Sequence, residues 1–380
     1  MNLDDIKVPF NVPCYTGNED RYVLDALRNP SDKYIKKCEE WFEKRFKCKR
    51  ALLTSSCTHA LEIIAILLDI EPGDEIIMPS YAFASVANAF AIFGARIVFV
   101  DIDPKTMNID PSEVEKAISP RTKAICVIHY GGVPCQIDKI IEISEKSGVY
   151  VIEDSAHAIN SRYNGKYAGT TGTFGCFSFH YTKNCTSAGQ GGLLIINDEK
   201  FIERAEIVRE RGTTKPLFLK GVVEEYTWVD KGSNFAMSNV NAAYLWGQLE
   251  LIDQITKERL SIWNYYKTSL APLEGKIELM SVPSGCEING HMFFIKTKDE
   301  EERKRLINFL REQGIQAETH YVPLHSSPAG RRFGEFRGED RFTTRESRRL
   351  LRLPIFYNMT LEQMRHVVES IYFFYDFYDE

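Results

Sequence analysis

The chain has 380 residues, of which 44% are hydrophobic and 26% charged, with 24 Gly and 15 Pro. Such a length has room for about two or three domains and a sizeable core, and the composition excludes disordered, collagen-like and disulfide-scaffold chains. Forty-seven basic residues against 53 acidic ones give a net charge of -6, so no basic surplus exists to hold a phosphate polymer and no nucleic-acid partner is expected.

The nine cysteines form no Cys-x-x-Cys pair and no zinc-like spacing, and the 8 His make no helical ligand pair with a carboxylate. No metal is expected. An odd cysteine count, and a start (MNLDDIKVPFNVP) without the apolar core of a signal, predict a reducing, cytoplasmic location. The apolar runs fall short of the roughly 18–20 residues that span a bilayer, so no membrane partner is expected.

Helical patterning begins after Pro13 and reaches residue 43. From Arg50 short apolar runs alternate with helical segments: runs at 51–53, 75–78, 96–100, 123–128 and 149–152, helices at 60–68, 84–93, 111–118 and 137–146. This alternation predicts an α/β fold with a mostly parallel sheet between helices. The runs are continuously apolar, as in strands covered on both faces. Beyond Asp154 the segment 161–197 is rich in Gly, Thr, Phe and Ser, with strands at 174–179 and 193–196, and a helix is expected over 201–211. One long helix is expected over 240–270. It sets a boundary between a large domain, 1–245, and a smaller α+β domain, 246–380, with a strand at 291–295 and helices at 300–313 and 361–374.

Phosphate-loop, dinucleotide and zinc-protease motifs are absent. Three other features carry chemistry. In Val149–His157 (VYVIEDSAH) an apolar strand ends on two carboxylates; ligands of open α/β sheets bind at such strand ends, although Asp154 would equally serve as a helix cap. In Phe177–Asn184 (FSFHYTKN) Lys183 follows an aromatic strand and precedes the Gly-rich 188–192. Surface solvation is the usual fate of a lysine, but a desolvated one attacks carbonyls to make a Schiff base. In Leu53–Leu61 (LTSSCTHAL) a strand passes through small hydroxyl residues into a helix, which suits either a bound phosphate or simple capping. Together these supply what pyridoxal 5'-phosphate needs: a phosphate cradle, a carboxylate for the pyridine nitrogen and a Schiff-base lysine.

The segments VIEDSAHA, GCFSFHYTKN, GGLLIIND, GDEIIMPSYAFASVANA and HYVPLH resemble the DegT/DnrJ/EryC1/StrS sugar aminotransferases, almost end to end. The resemblance implies a fold-type I pyridoxal phosphate enzyme. It implies transamination of a nucleotide-linked keto sugar, dTDP-4-keto-6-deoxy-D-glucose, with L-glutamate as donor. The same chemistry on a C3-keto sugar, or with another C4 configuration, stays open, as does a non-catalytic cofactor-binding homologue. The resemblance assigns Lys183 the Schiff base and the proton shuttle, and Asp154 the pyridine nitrogen. His157, where many relatives carry Gln, would bond the ring's phenolic oxygen, and Phe83 would stack on the ring. Cys57, Thr58 and Ser178 would contact the phosphate. Asn234 would reach the phosphate of a neighbouring subunit in a homodimer with shared sites, and Tyr321 and His325 would lie near the sugar. Two departures stand out: the segment Leu27–Lys33 is short and lacks the glycines of relatives, and Gln190 stands where Glu is common.

Overall fold

Strand–helix alternation between residues 50 and 154 builds the expected sheet. A computed structural model of the chain describes residues 6–377; residues 1–5, part of the amino-terminal stretch read above, and 378–380 lie outside the described residues. The strands β1 (Arg50–Thr54), β2 (Glu75–Pro79), β3 (Arg96–Val100), β4 (Thr122–Ile128) and β5 (Tyr150–Asp154) are followed by the small hairpin β6 (Arg162–Tyr163) and β7 (Lys166–Tyr167). Next come β8 (Phe174–Ser178) and β9 (Gly192–Ile196), then β10 (Glu278–Leu279), β11 (Cys286–Glu287), β12 (Phe293–Lys296), β13 (Gly334–Phe336) and β14 (Leu350–Leu353).

Eight of these form one sheet in the order β1-β9-β8-β5-β4-β2-β3-β13. All neighbours from β8 to β13 are parallel, and β9 runs antiparallel to both β8 and β1. The continuous apolar runs are explained by burial on both faces. Ile76, Met78 and Cys126 pack into one core, while Ile77, Ile125 and Val127, one residue out of step, pack into another. Each such fully buried side chain stabilises the fold by roughly 1.5–3 kcal/mol. A second, antiparallel sheet, β10-β12-β14, carries the helix Glu300–Glu312, against which the C-terminal helix Leu361–Phe377 packs.

The structure departs from the sequence reading at the long helix. The long helix expected over 240–270 is two helices, Asn239–Leu249 and Ile252–Leu270. The first is held against the helix Glu19–Arg28, where a side chain on Gly247 would stand 3.0 Å from the Glu19 backbone. Leu251 (φ −114°, ψ 11°) then leaves helical geometry, and the second helix packs on the C-terminal helix. β11 pairs with β6 and β13 with β3. No described helix is long and apolar enough to cross a membrane.

The carboxyl ends of β1, β4, β5 and β8 share one sheet edge, where β9 begins. Gly192, the first residue of β9, passes directly beneath the start of the helix Cys57–Leu67: a Cβ there would lie 2.3 Å from the Ser56 carbonyl carbon and 2.4 Å from the Cys57 nitrogen. Only glycine permits that approach. Gly192→Ala is expected to lower stability by about 1–3 kcal/mol through overpacking against rigid backbone, read as a lower urea midpoint; an unchanged midpoint would contradict the close approach.

Candidate active site

A cavity of about 650 Å³ opens at this edge, within the range usual for small-molecule sites. One wall comes from the large sheet: Cys57 and Thr58 after β1, Asp154 and His157 after β5, Ser178 at the end of β8, and Lys183. The opposite wall comes from the C-terminal half, including Arg259, His291, Tyr321 and Arg352.

Strand alternation separates the two carboxylates that end β5. Glu153 points away from the cavity. It bonds His129 Nε2 at 2.9 Å and accepts the N–H groups of Gly169 (2.9 Å), Thr171 (2.7 Å) and Gly172 (2.6 Å). Although burial alone would raise its carboxyl, these donors hold it below the usual range. Asp154 faces the cavity. One of its oxygens accepts the Ala156 N–H at 2.9 Å, and burial raises its carboxyl, offset by that N–H and by Lys183. Burial likewise pushes the Lys183 ammonium down to about 8, offset by the attraction of Asp154.

Ser56 caps the helix Cys57–Leu67, its hydroxyl accepting the His59 N–H at 3.1 Å. The first-turn N–H groups before it, those of Cys57 and Thr58, have no partner within the helix. They lie at the cavity wall, at the positive end of the helix dipole.

Hydrogen bonds fix the histidine tautomers. Gly131 N–H donates to His157 Nδ1 at 3.3 Å, so the neutral ring carries its proton on Nε2, which lies 3.4 Å from the Tyr321 hydroxyl. Burial and the nearby cations hold His157 well below the ordinary histidine value. His291 stacks on it with ring centres 4.4 Å apart. Asn184 Nδ2 donates to Asn289 O, leaving its Oδ1 to accept the His291 Nδ1 proton at 2.8 Å. Phe83 is 58% exposed, its ring 6.0 Å from that of Tyr321, an arrangement that leaves an aromatic face open to a planar ligand.

Of the residues singled out in the sequence, Lys183, Asp154, His157, Cys57, Thr58, Phe83, Ser178 and Tyr321 all line this one cavity. His325 does not. Its Nδ1 pairs with the Ser80 hydroxyl at 2.6 Å, and its Nε2 lies 3.3 Å from Asp340, because the turn after Pro323 swings it to the far side of Tyr321. Asn234 also lies outside, exposed, its side-chain oxygen accepting from Arg211 at 2.9 Å. Gln190 lines the cavity, whereas Leu27–Lys33 does not. Sequence reading missed Arg259, His291 and Arg352; His291 lies at the edge of a predicted strand, and that adjacency was its one available signal. Cys57, Asp154 and Cys176 bring one ligand-type atom each within 4.8 Å of one another. Burial pushes the Cys176 thiol well up, which works against the thiolate a metal needs.

A mostly parallel α/β sheet with a half-buried lysine, a buried carboxylate and a helix start around one cavity defines a fold-type I pyridoxal phosphate aminotransferase. The model of the DegT/DnrJ/EryC1/StrS aminotransferase family matches residues 14–372, and the chain belongs to that family. It is 31% identical to the GDP-perosamine synthase of Escherichia coli O157:H7, covering 97% of this chain and 98% of the relative. It is 34% identical to a pleiotropic regulatory protein of Geobacillus stearothermophilus, with 93% of each covered. Among solved structures it is similar to the pyridoxal phosphate form of the putative sugar aminotransferase Spr1654 of Streptococcus pneumoniae. The TM-score is 0.86 at 25% identity, over 96% of this chain and 97% of that one.

The residues present fit pyridoxal phosphate. The helix start over Gly192 is a concave cradle closed to any Cβ, Asp154 keeps an oxygen free of backbone donors, and His157 presents a single N–H. The lysine supplies a further test. Lowered from 10.5 to about 8, Lys183 penalises folding fully below pH 8, and the penalty fades as pH rises from 8 to 10.5. The cofactor-free Lys183→Met variant is therefore expected to exceed the cofactor-free parent in stability by about 2–3 kcal/mol at pH 7. Denaturant titrations should show that gap closing by pH 10.5; a gap independent of pH would contradict a buried, readily neutralised lysine.

Proposed function

We propose that the protein transfers the amino group of L-glutamate to the C4 ketone of dTDP-4-keto-6-deoxy-D-glucose, giving 2-oxoglutarate and dTDP-4-amino-4,6-dideoxy-D-galactose. Its role is then that of a dTDP-4-amino-4,6-dideoxygalactose transaminase, a cytoplasmic homodimer with shared sites. The observation that carries the reading is the convergence of Lys183, Asp154 and the Cys57–Thr58 helix start on one cavity. Pyridoxal phosphate, when bound, accepts the electron pair of the substrate carbanion and carries the amino group between the two half-reactions.

The chain's own residues do the rest. The N–H groups of Cys57 and Thr58 and the Ser178 hydroxyl hold the phosphate, an anion at a helix N-terminus. Asp154, kept out of water, holds a proton at the pyridine nitrogen. His157 would donate its Nε2 proton to the phenolic oxygen, and Phe83 would offer its ring to the cofactor. Lys183, whose amine is readily neutral near physiological pH, would move the proton between the substrate carbon and the cofactor in both halves. Tyr321 would help exclude water from the cavity. The relative named GDP-perosamine synthase supports a nucleotide-linked sugar, and the likeness of LLLDIEPGDEIIMPS, IVFVDIDPKTMNID and PAGRRFGEFRGEDRFTTRES supports the narrower choice. Exposed apolar side chains near Asn234, Leu219 at 72% and Trp228 at 77%, support a second subunit covering that face.

Incubation with L-glutamate and either dTDP-4-keto-6-deoxy-D-glucose or its C3-keto isomer, followed by NMR of the product, tests the substrate. The 4-amino galacto product from the first alone is expected; turnover of the C3-keto sugar alone would overturn the choice. Lys183→Ala should lose the visible absorbance of the lysine-bound cofactor and at least about 10³-fold of turnover, the combined loss of nucleophile and proton carrier.

A further inference from the structure

Six of the nine cysteines are buried, and Cys48, Cys57 and Cys286 are half-buried. Burial holds the Cys48 thiol up to about 12 and the Cys286 thiol up to about 11. Cys48 also follows the C-terminal end of the helix Lys33–Phe46, where the dipole disfavours an anion, and the Cys286 thiol donates to Pro134 O at 3.5 Å. Cys57 stands apart. It is the first residue of the helix Cys57–Leu67, at the positive end of that dipole, and it lines the cavity together with Lys183 and Arg352. Electropositive, partly exposed surroundings of this kind are those of reactive cysteines.

A second thiol stands beside it. Cys176, on β8, is fully buried, and the sulfurs of Cys57 and Cys176 and a carboxylate oxygen of Asp154 all lie within 4.8 Å of one another. The crossing that builds the phosphate cradle also builds this trio. Cys176 pairs with Leu194 on β9, two residues beyond Gly192, and Gly192 runs directly beneath the Cys57 nitrogen. Burial raises the Asp154 carboxyl, which makes its carboxylate a stronger base than an exposed one. A base therefore stands next to the buried thiol.

We propose that Cys57 is an oxidation site, and that Cys176 resolves its sulfenic acid into a disulfide that closes the phosphate cradle to the cofactor. The site is independent of the sugar and the donor proposed above. The oxidant is hydrogen peroxide. The Cys57 sulfur attacks one peroxide oxygen and the O–O bond breaks; the sulfur is oxidised to the sulfenic acid and the peroxide is reduced to water. The Cys176 sulfur then attacks that of Cys57. Its proton passes to Asp154 and on to the departing hydroxide, the S–S bond forms and a second water leaves. Two thiols and one peroxide thus give one disulfide and two waters. Sulfurs that stand within 4.8 Å must come into covalent contact, which draws the first helical turn toward β8. The N–H groups of Cys57 and Thr58 sit on that turn, packed too closely over Gly192 to shift without distorting the cradle. Cofactor phosphate on the same N–H groups covers Cys57, so loading protects it.

The test treats the full chain, cofactor-free and cofactor-loaded, with hydrogen peroxide, and reads free thiols in denaturant, intact mass and a map of the cysteine peptides. The cofactor-free chain is expected to lose two of its 9 thiols and the mass of two hydrogens, with Cys57 and Cys176 in one cross-linked peptide pair. It should then fail to develop the visible absorbance of lysine-bound cofactor until dithiothreitol restores the thiols. The cofactor-loaded chain should keep all its thiols under the same treatment. Cys176→Ala is expected to stop at a sulfenic acid that dimedone labels on Cys57, and Cys57→Ser to keep its remaining thiols. A first oxidation at any other cysteine, equal oxidation with the cofactor bound, or an oxidised chain that still takes up the cofactor would overturn the assignment.

Discussion

Lys183 and Asp154 line one cavity, and burial works against the charge of each. It drives the ammonium down and the carboxyl up, while their mutual attraction opposes both shifts. Burial dominates at both residues, as expected where desolvation of an ion exceeds what one partner returns. The outcome for the lysine is chemical: an amine that would be almost wholly protonated in water becomes neutral within reach of physiological pH. The remaining architecture serves to keep these two groups together.

The sheet does this with few devices. Alternation at the end of β5 sends Glu153 into a structural network of one histidine and three backbone N–H groups and leaves Asp154 to the cavity. Reversal of β9 brings Gly192 beneath the helix that begins at Cys57, so that helix start and the ends of β5 and β8 share one edge. The C-terminal half closes the other side with His291, stacked on His157, and with the guanidinium groups of Arg259 and Arg352. A cation-lined cavity of this kind also reconciles an acidic chain with the anionic substrates proposed for it: attraction is local.

What could be read in the sequence follows from how local the determining physics is. The parallel sheet was legible because doubly covered strands must be apolar throughout, and Asp154, Lys183 and Thr58 were legible because Asp154 ends such a strand and the other two follow one within five residues. Other residues were set by tertiary docking. Arg352 lies in the run LLRLP, where a single charged residue in a short apolar strand reads as an outward surface position; only the packing of β14 beside the Glu318–Thr319 segment turns it into the cavity. His325 is three residues past Val322 in HYVPLH, and a single turn after Pro323 takes it to Ser80 and Asp340 instead of the cavity. The break at Leu251 has no proline or glycine to mark it, since contact with the amino-terminal helix decides where the first segment stops.

The central claim is that Asp154, itself buried, keeps the pyridine nitrogen of the cofactor protonated. Nitrogen-15 NMR of enzyme loaded with ring-labelled pyridoxal phosphate measures that proton directly. The account predicts a protonated pyridine nitrogen across pH 6–9 in the parent enzyme and a deprotonated one in Asp154→Asn. A nitrogen that is unprotonated in the parent, or unaffected by the substitution, would contradict it.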